Sequence, residues 1–234
     1  MVVRRGLEGY LDLEALISQR ETAQPASPFH GRSRLSFLRL GNGETALARA
    51  YHHGGVLRHL TGDLFFTWPP RPFRELAITE EARHRGVSTV EVLGAGVQRL
   101  WGPLYQGWLF TRELTGARDL WAAVQSGFAL PAMDPVLKAV AQSVCAMHRK
   151  GIYHRDLNLK NILVRWEEDR IRSYLIDFDK ARLFPGEIPA SKARHNLRRL
   201  QRSAHKLDPE SRFFGPSEWD RFFRFYQEAR GDED

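Results

Sequence analysis

The sequence predicts an α+β protein in two lobes, a small lobe built on an antiparallel sheet and a mainly helical lobe after it. Two alternating segments, Arg34–Leu40 and Thr45–Tyr51, flank Gly41-Asn42-Gly43, the residue types that a tight hairpin turn demands. A third alternating segment, Gly107–Arg112, offers that hairpin another strand. From Thr115 the apolar spacing turns helical, which separates the second lobe from the first. The domains are read as an N-terminal extension over 1–25, a sheet lobe over 26–112 and a helical lobe over 113–234.

In chain order, Leu7, Leu11, Leu13, Leu16 and Ile17 give the extension a short amphipathic helical pattern, which Pro25 and Pro28 end. After the hairpin, Phe73–Arg85 carries Leu76, Ile78 and Ala82 among charges and stops at Gly86, as a helix with a glycine C-cap does. Val87–Leu93 returns to strand composition. Asp134-Pro135 reads as an N-cap followed by proline at the first helical position, and Val136, Leu137, Val140, Val144 and Met147 continue a buried helix until Gly151. Two short β runs, Asn161–Arg165 and Ser173–Phe178, are separated by the charged turn W-E-E-D-R. Ala193, Leu197, Leu200, Ala204 and Leu207 share one helical face, and Lys192, Arg194, Arg198, Arg199, Arg202 and Lys206 make the other face basic. A last helix is predicted from Ser217, with Asp220 three residues on, burying Trp219, Phe222, Phe223 and Tyr226.

Composition sets limits on function. The hydrophobic share of 42% over 234 residues supports a packed core and excludes disorder. No run approaches the ~18 apolar residues of a membrane-spanning helix. The N-terminal stretch lacks the apolar core of a secretory signal, so the expected compartment is the cytoplasm. Cys145 is the single cysteine, sits in an apolar helical pattern and reads as core. A net charge of +7 favours polyanionic partners: nucleic acid, anionic lipid or phosphorylated substrates. Most aromatics fall at core-like spacing, which counts against a nucleic-acid surface. All six lysines lie from Lys138 onward, so arginine is the only permanent side-chain cation available in the sheet lobe.

The chemistry-bearing residues lie in Y-H-R-D-L-N-L-K-N-I-L-V at 153–164 and Y-L-I-D-F-D at 174–179. Phosphoryl transfer from ATP needs a carboxylate to orient and deprotonate the attacking hydroxyl, and oxygen ligands for the magnesium on the triphosphate. Asp156 fits the first role. Asn161 fits the second, because a loop of five residues returns its amide oxygen toward the metal. Asp177, at the end of an apolar strand, fits as a magnesium carboxylate.

H-R-D-L-x-x-x-N followed by a strand ending D-F resembles the catalytic and metal-binding loops of the protein-kinase-like fold. Within it, A-R-A-Y-H-H-G-G at 48–55, R-P-F-R-E-L-A at 71–77 and L-I-D-F-D at 175–179 resemble the bacterial lipopolysaccharide-core kinases, which phosphorylate Kdo (3-deoxy-D-manno-octulosonic acid) or heptose on lipid A–core. The Kdo kinase subgroup is the nearer likeness, and the resemblance runs from about Gly31 to Leu207. It implies ATP and Mg2+ as cofactors, a lipid A–Kdo or core precursor as acceptor, and a peripheral position on the cytoplasmic face of the inner membrane. In position, Gly31 stands where the glycine-rich loop lies, although an ordinary turn is an equal reading. Arg49 stands where most kinases carry the phosphate-clamping lysine, and its fork can serve in that place. Glu75 is the expected carboxylate partner of Arg49, and F-T-R-E-L-T-G-A at 110–117 resembles the adenine hinge, with Glu113 the one residue singled out there. The motif histidine His154 is expected to brace the metal-binding strand. Arg155 is read equally as a carboxylate partner or a substrate contact.

Departures from the pattern matter too. Asp179 replaces the glycine that follows D-F in protein kinases and removes an easy backbone flip. The short 180–189 stretch has no A-P-E segment, which disfavours protein substrates. Adjacent His52 and His53 point to opposite sides and make poor joint metal ligands. The basic face at 192–206 is read either as a solvated surface or as a contact for anionic headgroups. Besides the Kdo kinase, the residues leave open a heptose kinase, a protein or small-molecule kinase of the same fold, and a nucleotide-binding pseudokinase, the last suggested by Arg49 and the glycine-poor loop.

Overall fold

Among the described residues five strands make the sheet of the first unit: β1 (Val2–Val3), β2 (Leu35–Arg39), β3 (Thr45–Ala50), β4 (Val92–Trp101) and β5 (Leu104–Arg112), in the spatial order β1-β4-β5-β3-β2 with every pair antiparallel. The computed structural model describes residues 1–11, 35–51, 68–101, 104–127, 133–168 and 170–231. The chain divides into two compact units, Met1–Glu80 with Val90–Glu113 and Glu81–Thr89 with Leu114–Asp234. The expected hairpin is present, and Gly43 turns it at φ +85, a conformation that a side chain disfavours.

Alternation along β3 sends Ala46, Ala48 and Ala50 to one face, where they pack with Leu40, Leu93, Trp108 and Phe110. Leu7 and Leu11 complete that cluster, so residues expected to begin a helix instead cover a sheet face. Val2 and Val3 pair with Ala95 and Gly94, and the turns after them let Leu7 and Leu11 reach inward. At Leu7 and Leu11 turns stand where the helix was expected, while Leu13, Leu16, Ile17, Pro25 and Pro28 lie outside the described residues. A two-residue edge strand has too few positions to show a period.

The opposite face gathers Tyr51, Val92, Ala95, Tyr105 and Leu109, with Phe73 and Leu76 of helix α1 (Arg71–His84) packed against them. Gly107 lets the helix start lie close, because a Cβ there would stand 2.5 Å from the Pro72 ring. The helix ends before Gly86 at φ +82, as expected. Val87–Leu93 is a strand only from Val92; before it, Val87 N–H closes the helix end on Ala82 O and Thr89 forms a single bridge to Leu175.

The second unit follows the chain through β6 (Arg118–Asp119), α2 (Leu120–Gln125), α3 (Met133–Arg149), β7 (Ile152–Tyr153), β8 (Ile162–Glu167), β9 (Arg170–Leu175), β10 (Arg182–Leu183), α4 (Ala190–Leu207) and α5 (Pro216–Arg230). The strands form a β6-β8-β9 sheet and a β7-β10 pair. Asp119 caps α2 by accepting from Ala122 N–H at 2.9 Å. Helix α3 buries Val136, Leu137, Val140, Val144, Cys145 and Met147, and each large apolar side chain among them contributes roughly 1.5–3 kcal/mol. It already includes Met133, so Asp134 lies in the first turn rather than at the N-cap and pairs with Arg221 at 2.8 Å. Trp166 and Glu167 extend β8 into the expected turn, and β9 ends at Leu175, before Asp177. Helix α5 starts at Pro216, not Ser217; Glu218 accepts from Gly215 N–H at 3.0 Å where Asp220 was expected to act. Phe222 and Tyr226 are buried, with Trp219 and Phe223 half-buried beside them.

Candidate active site

Two short pieces of backbone in the second unit carry the acidic and amide groups: the loop from β7 to β8, ending in a 3-10 turn at Leu159–Asn161, and the turn after β9, with a second 3-10 turn at Phe178–Lys180. Strand pairing brings them together. Ile162 faces Leu175 in the β8–β9 register, and one step further the carbonyl of Asn161 accepts from Ile176 N–H at 3.0 Å. His154, fully buried, ties the same pieces from the other side. Its Nε2–H donates to Ile176 O at 2.9 Å, and its Nδ1 accepts from Asp156 N–H at 3.1 Å. Each partner can play only one role, which fixes the neutral tautomer with the proton on Nε2. Burial also pushes the His154 pKa down, so the ring stays uncharged.

The loop closes on the carbonyl of Asp156. Asn158 Nδ2 and Asn161 Nδ2 donate to it at 2.8 and 2.9 Å, while Asn158 Oδ1 accepts from Lys160 and Asn161 N–H. Tying down Nδ2 fixes the Asn161 amide plane and leaves Oδ1 as the atom with which it can meet a cation. Asp177 sits half-buried in the left-handed region at φ 68, ψ 58, a conformation Asp tolerates better than most residues. Phe178 beside it is fully buried, with its ring centroid 5.1 Å from that of His154. Asp179, the residue in the usual glycine position, is buried.

Behind the loop stands Asn196 of α4, completely buried. Its Nδ2 donates to His154 O at 2.6 Å, and its Oδ1 accepts from His154 N–H at 3.3 Å and from His148 Nε2 at 3.2 Å. His148 in turn meets Tyr226 OH at 2.7 Å. Burial lowers the His148 pKa to about 4 and raises that of Tyr226 to about 12. Nothing in the motif spelling announces Asn196. Its one signal is a polar residue among Ala193, Leu197 and Leu200 on an otherwise apolar helix stripe.

Arg199, on the basic side of α4, forms an ion pair with Asp156 through Nη2 and Oδ1. That face was expected to meet solvent or headgroups, so this pairing was not foreseen. Arg155 is exposed.

The first unit holds the other expected pair. Glu75 lies on the buried stripe of α1 with Ile78, Thr79 and Ala82, and its Oε2 meets both Arg49 Nη2 and Tyr51 OH. The Arg49 and Arg71 guanidinium carbons stand 5.1 and 5.2 Å from the Tyr51 ring centroid. Tyr51, missed in the sequence, is two residues after Arg49 and therefore projects to the same side of the strand. Glu113 is half-buried, and its N–H is committed to Thr45 O at 3.0 Å, so that donor is not free for a base. Gly31, His52 and His53 lie outside the described residues.

Among the described residues no cluster of three His, Cys, Asp or Glu side chains could hold a metal by itself. One carboxylate and one amide oxygen are, however, the hard donors that suit Mg2+ arriving with phosphates, since this ion keeps water and substrate oxygens as its remaining ligands. Asn161 and Asp177 therefore fit a nucleotide-borne magnesium rather than a resident metal.

Residues 18–226 match the lipopolysaccharide kinase (Kdo/WaaP) family. Similar proteins include the 3-deoxy-D-manno-octulosonic acid kinase of Vibrio cholerae, 32% identical over 179 residues that cover 75% of this chain and 72% of that protein. That of Pasteurella multocida is 31% identical over 189 residues, covering 79% and 76%. That of Xylella fastidiosa is 31% identical over 195 residues, covering 81% and 73%. Among solved structures, WaaP in complex with acyl carrier protein superposes with a TM-score of 0.61 at 19% identity, covering 99% of this chain and 90% of that one. That likeness establishes the kinase-like fold.

Proposed function

The chain belongs to the lipopolysaccharide kinase (Kdo/WaaP) family, and on that premise we propose that it transfers the γ-phosphoryl group of ATP to a hydroxyl of 3-deoxy-D-manno-octulosonic acid on lipid A–core. The observation that carries this reading is the hydrogen-bonded junction of the two motif loops, where Asn161 O meets Ile176 N–H and Asn161 Nδ2 meets Asp156 O.

Asp156 is the base. As the acceptor oxygen bonds to the γ-phosphorus and the bond to the β,γ-bridging oxygen breaks, the hydroxyl proton passes to the Asp156 carboxylate and ADP leaves. His154 does not exchange protons in this scheme; buried and neutral, it keeps the Asp156 backbone at a fixed distance from the strand end. Asn161 and Asp177 would hold magnesium, which when bound would supply positive charge to the phosphate oxygens. Arg49, oriented by Glu75 and Tyr51, is assigned to the nucleotide phosphates, which a planar guanidinium can grip at two oxygens. Gly31 and Glu113 are assigned to the nucleotide. An acceptor anchored in lipid and a donor supplied as ATP support assigning the enzyme to the cytoplasmic face of the inner membrane as a peripheral protein. Among the described residues no helix is long and apolar enough to cross a membrane.

The test is transfer of label from ATP, with and without Mg2+, into purified Kdo–lipid A, heptose-bearing core, casein and aminoglycosides. Label in Kdo–lipid A alone is the expected result. Label confined to casein or to aminoglycosides would refute the reading, and label confined to heptose would move the acceptor by one sugar.

A further inference from the structure

The Arg199–Asp156 ion pair has no place in the reaction above. A carboxylate that must accept a proton from an incoming hydroxyl has one of its oxygens held by a guanidinium. Arg199 comes from α4, 43 residues downstream. Its side chain and that of Asp156 are 38% and 39% exposed, so both can be reached from solvent.

The pairing is also incomplete. Only Nη2 reaches the carboxylate, while Nε is buried and has no hydrogen-bond partner among the described residues. A guanidinium presents Nε–H and Nη2–H as a flat fork that fits two oxygens of one anion. Half of that fork is idle, and a buried donor without an acceptor is destabilising. Exchanging Asp156 for an anion that takes both hydrogens would conserve the charge pairing and add a bond.

The surroundings favour an anion. Lys192 and Lys206 lie seven residues before and after Arg199, on the same flank of the helix. Ser203, four residues after Arg199, touches the catalytic loop by accepting from Leu159 N–H at 3.2 Å. The cationic flank thus borders the loop that carries Asp156, next to exposed Arg155.

We propose that Arg199 is the receptor for the carboxylate of an acidic sugar acceptor. It rests on Asp156 in the free enzyme and moves its guanidinium to the sugar carboxylate on binding, which frees the Asp156 oxygen for the hydroxyl. This rests on the octulosonic acid reading above. In such a sugar the carboxylate and the reacting hydroxyl belong to one residue, so this anion must come nearest Asp156. The lipid A phosphates sit on other sugars. Arg199 is therefore a specificity residue: it selects sugar acids and exposes the base only when one is bound.

The test compares the full-length wild type with Arg199→Gln and Arg199→Lys, using ATP with Mg2+ and three acceptors: Kdo–lipid A, its Kdo carboxamide, and a simple Kdo glycoside without lipid A. Amidation should lower wild-type kcat/KM about 10- to 100-fold, the size of a lost charge-assisted contact. Arg199→Gln should lose a similar factor on the carboxylate acceptors, mainly in acceptor KM with ATP KM unchanged, and little more on the carboxamide. Arg199→Lys should recover part of the loss. Equal losses on carboxylate and carboxamide, or no wild-type discrimination between them, would overturn the proposal while leaving the kinase reading intact. Dependence on Arg199 that vanishes with the simple glycoside would assign the contact to lipid phosphate and also overturn it. A wild type inactive on every Kdo acceptor would instead sink the octulosonic acid reading, and this inference with it.

Discussion

Replacing Asn196 by alanine tests whether the catalytic loop is held from behind. The side-chain amide satisfies the N–H and the carbonyl of His154 and the Nε2–H of His148, all three in a buried setting. Truncation leaves three polar groups without partners, each worth about 1–3 kcal/mol when stranded. Allowing for water entering the space, the loss is about 3–5 kcal/mol. In a protein of this size that corresponds to roughly 6–20 °C in Tm. The same amide positions the residue whose ring orients Asp156, so kcat should fall while ATP affinity changes little. Asn196→Asp, of the same shape, turns an acceptor toward His154 O and should be no better tolerated. Thermal melts with urea titrations, and steady-state kinetics at a temperature where each variant is folded, make the measurement. An alanine variant that melts within 2 °C of the wild type with unaltered kcat would refute the bracing argument.

Stability should fall with acid through His148. Its pKa is about 4 in the fold against about 6.5 when unfolded, so the unfolded chain binds the extra proton first. The contribution is complete above pH 6.5 and declines toward pH 4, with about 2 kcal/mol gone by pH 5. Urea midpoints at pH 7 and 5 check it, and a His148→Phe variant that keeps the whole pH dependence would assign it elsewhere. Arg49→Ala should destabilise the sheet unit by about 1.5–3 kcal/mol, because buried Glu75 loses a charged hydrogen-bond partner, and should weaken ATP binding in calorimetry. Unaltered melting and affinity would remove Arg49 from the clamp. Asp156→Ala should abolish turnover and leave ATP binding largely intact, and measurable wild-type rates in that variant would contradict its role as base.

What could be read from the chain beforehand divides by distance along it. The β2–β3 hairpin, helices α1, α3 and α4 and the two motif loops were legible, because each is set by residues within a turn or two of each other. Arg49 and Glu75, separated by 26 positions, were matched only through the family likeness. Arg199 was seen as one charge in a basic face, since no local period reveals that it meets Asp156. Asn196 shows the same limit, because an amide on an apolar stripe signals a buried partner without naming it. The ends of elements slipped for a different reason. β8 kept Trp166 and Glu167 because Glu167 finds Arg165, Arg172 and Tyr174 around it, so charge there does not mean turn.

The opening residues carry a practical consequence. The stretch shared with the family starts at residue 18, yet Val2 and Val3 seal the outer edge of β4, and Leu7 and Leu11 keep Leu93, Trp108 and Phe110 dry. A gene shortened to the shared stretch would yield a protein with greasy surface uncovered and a bare strand ready to join another copy. Such a product should collect in inclusion bodies even though every chemistry-bearing loop is retained, and purification tags are better placed at the other terminus.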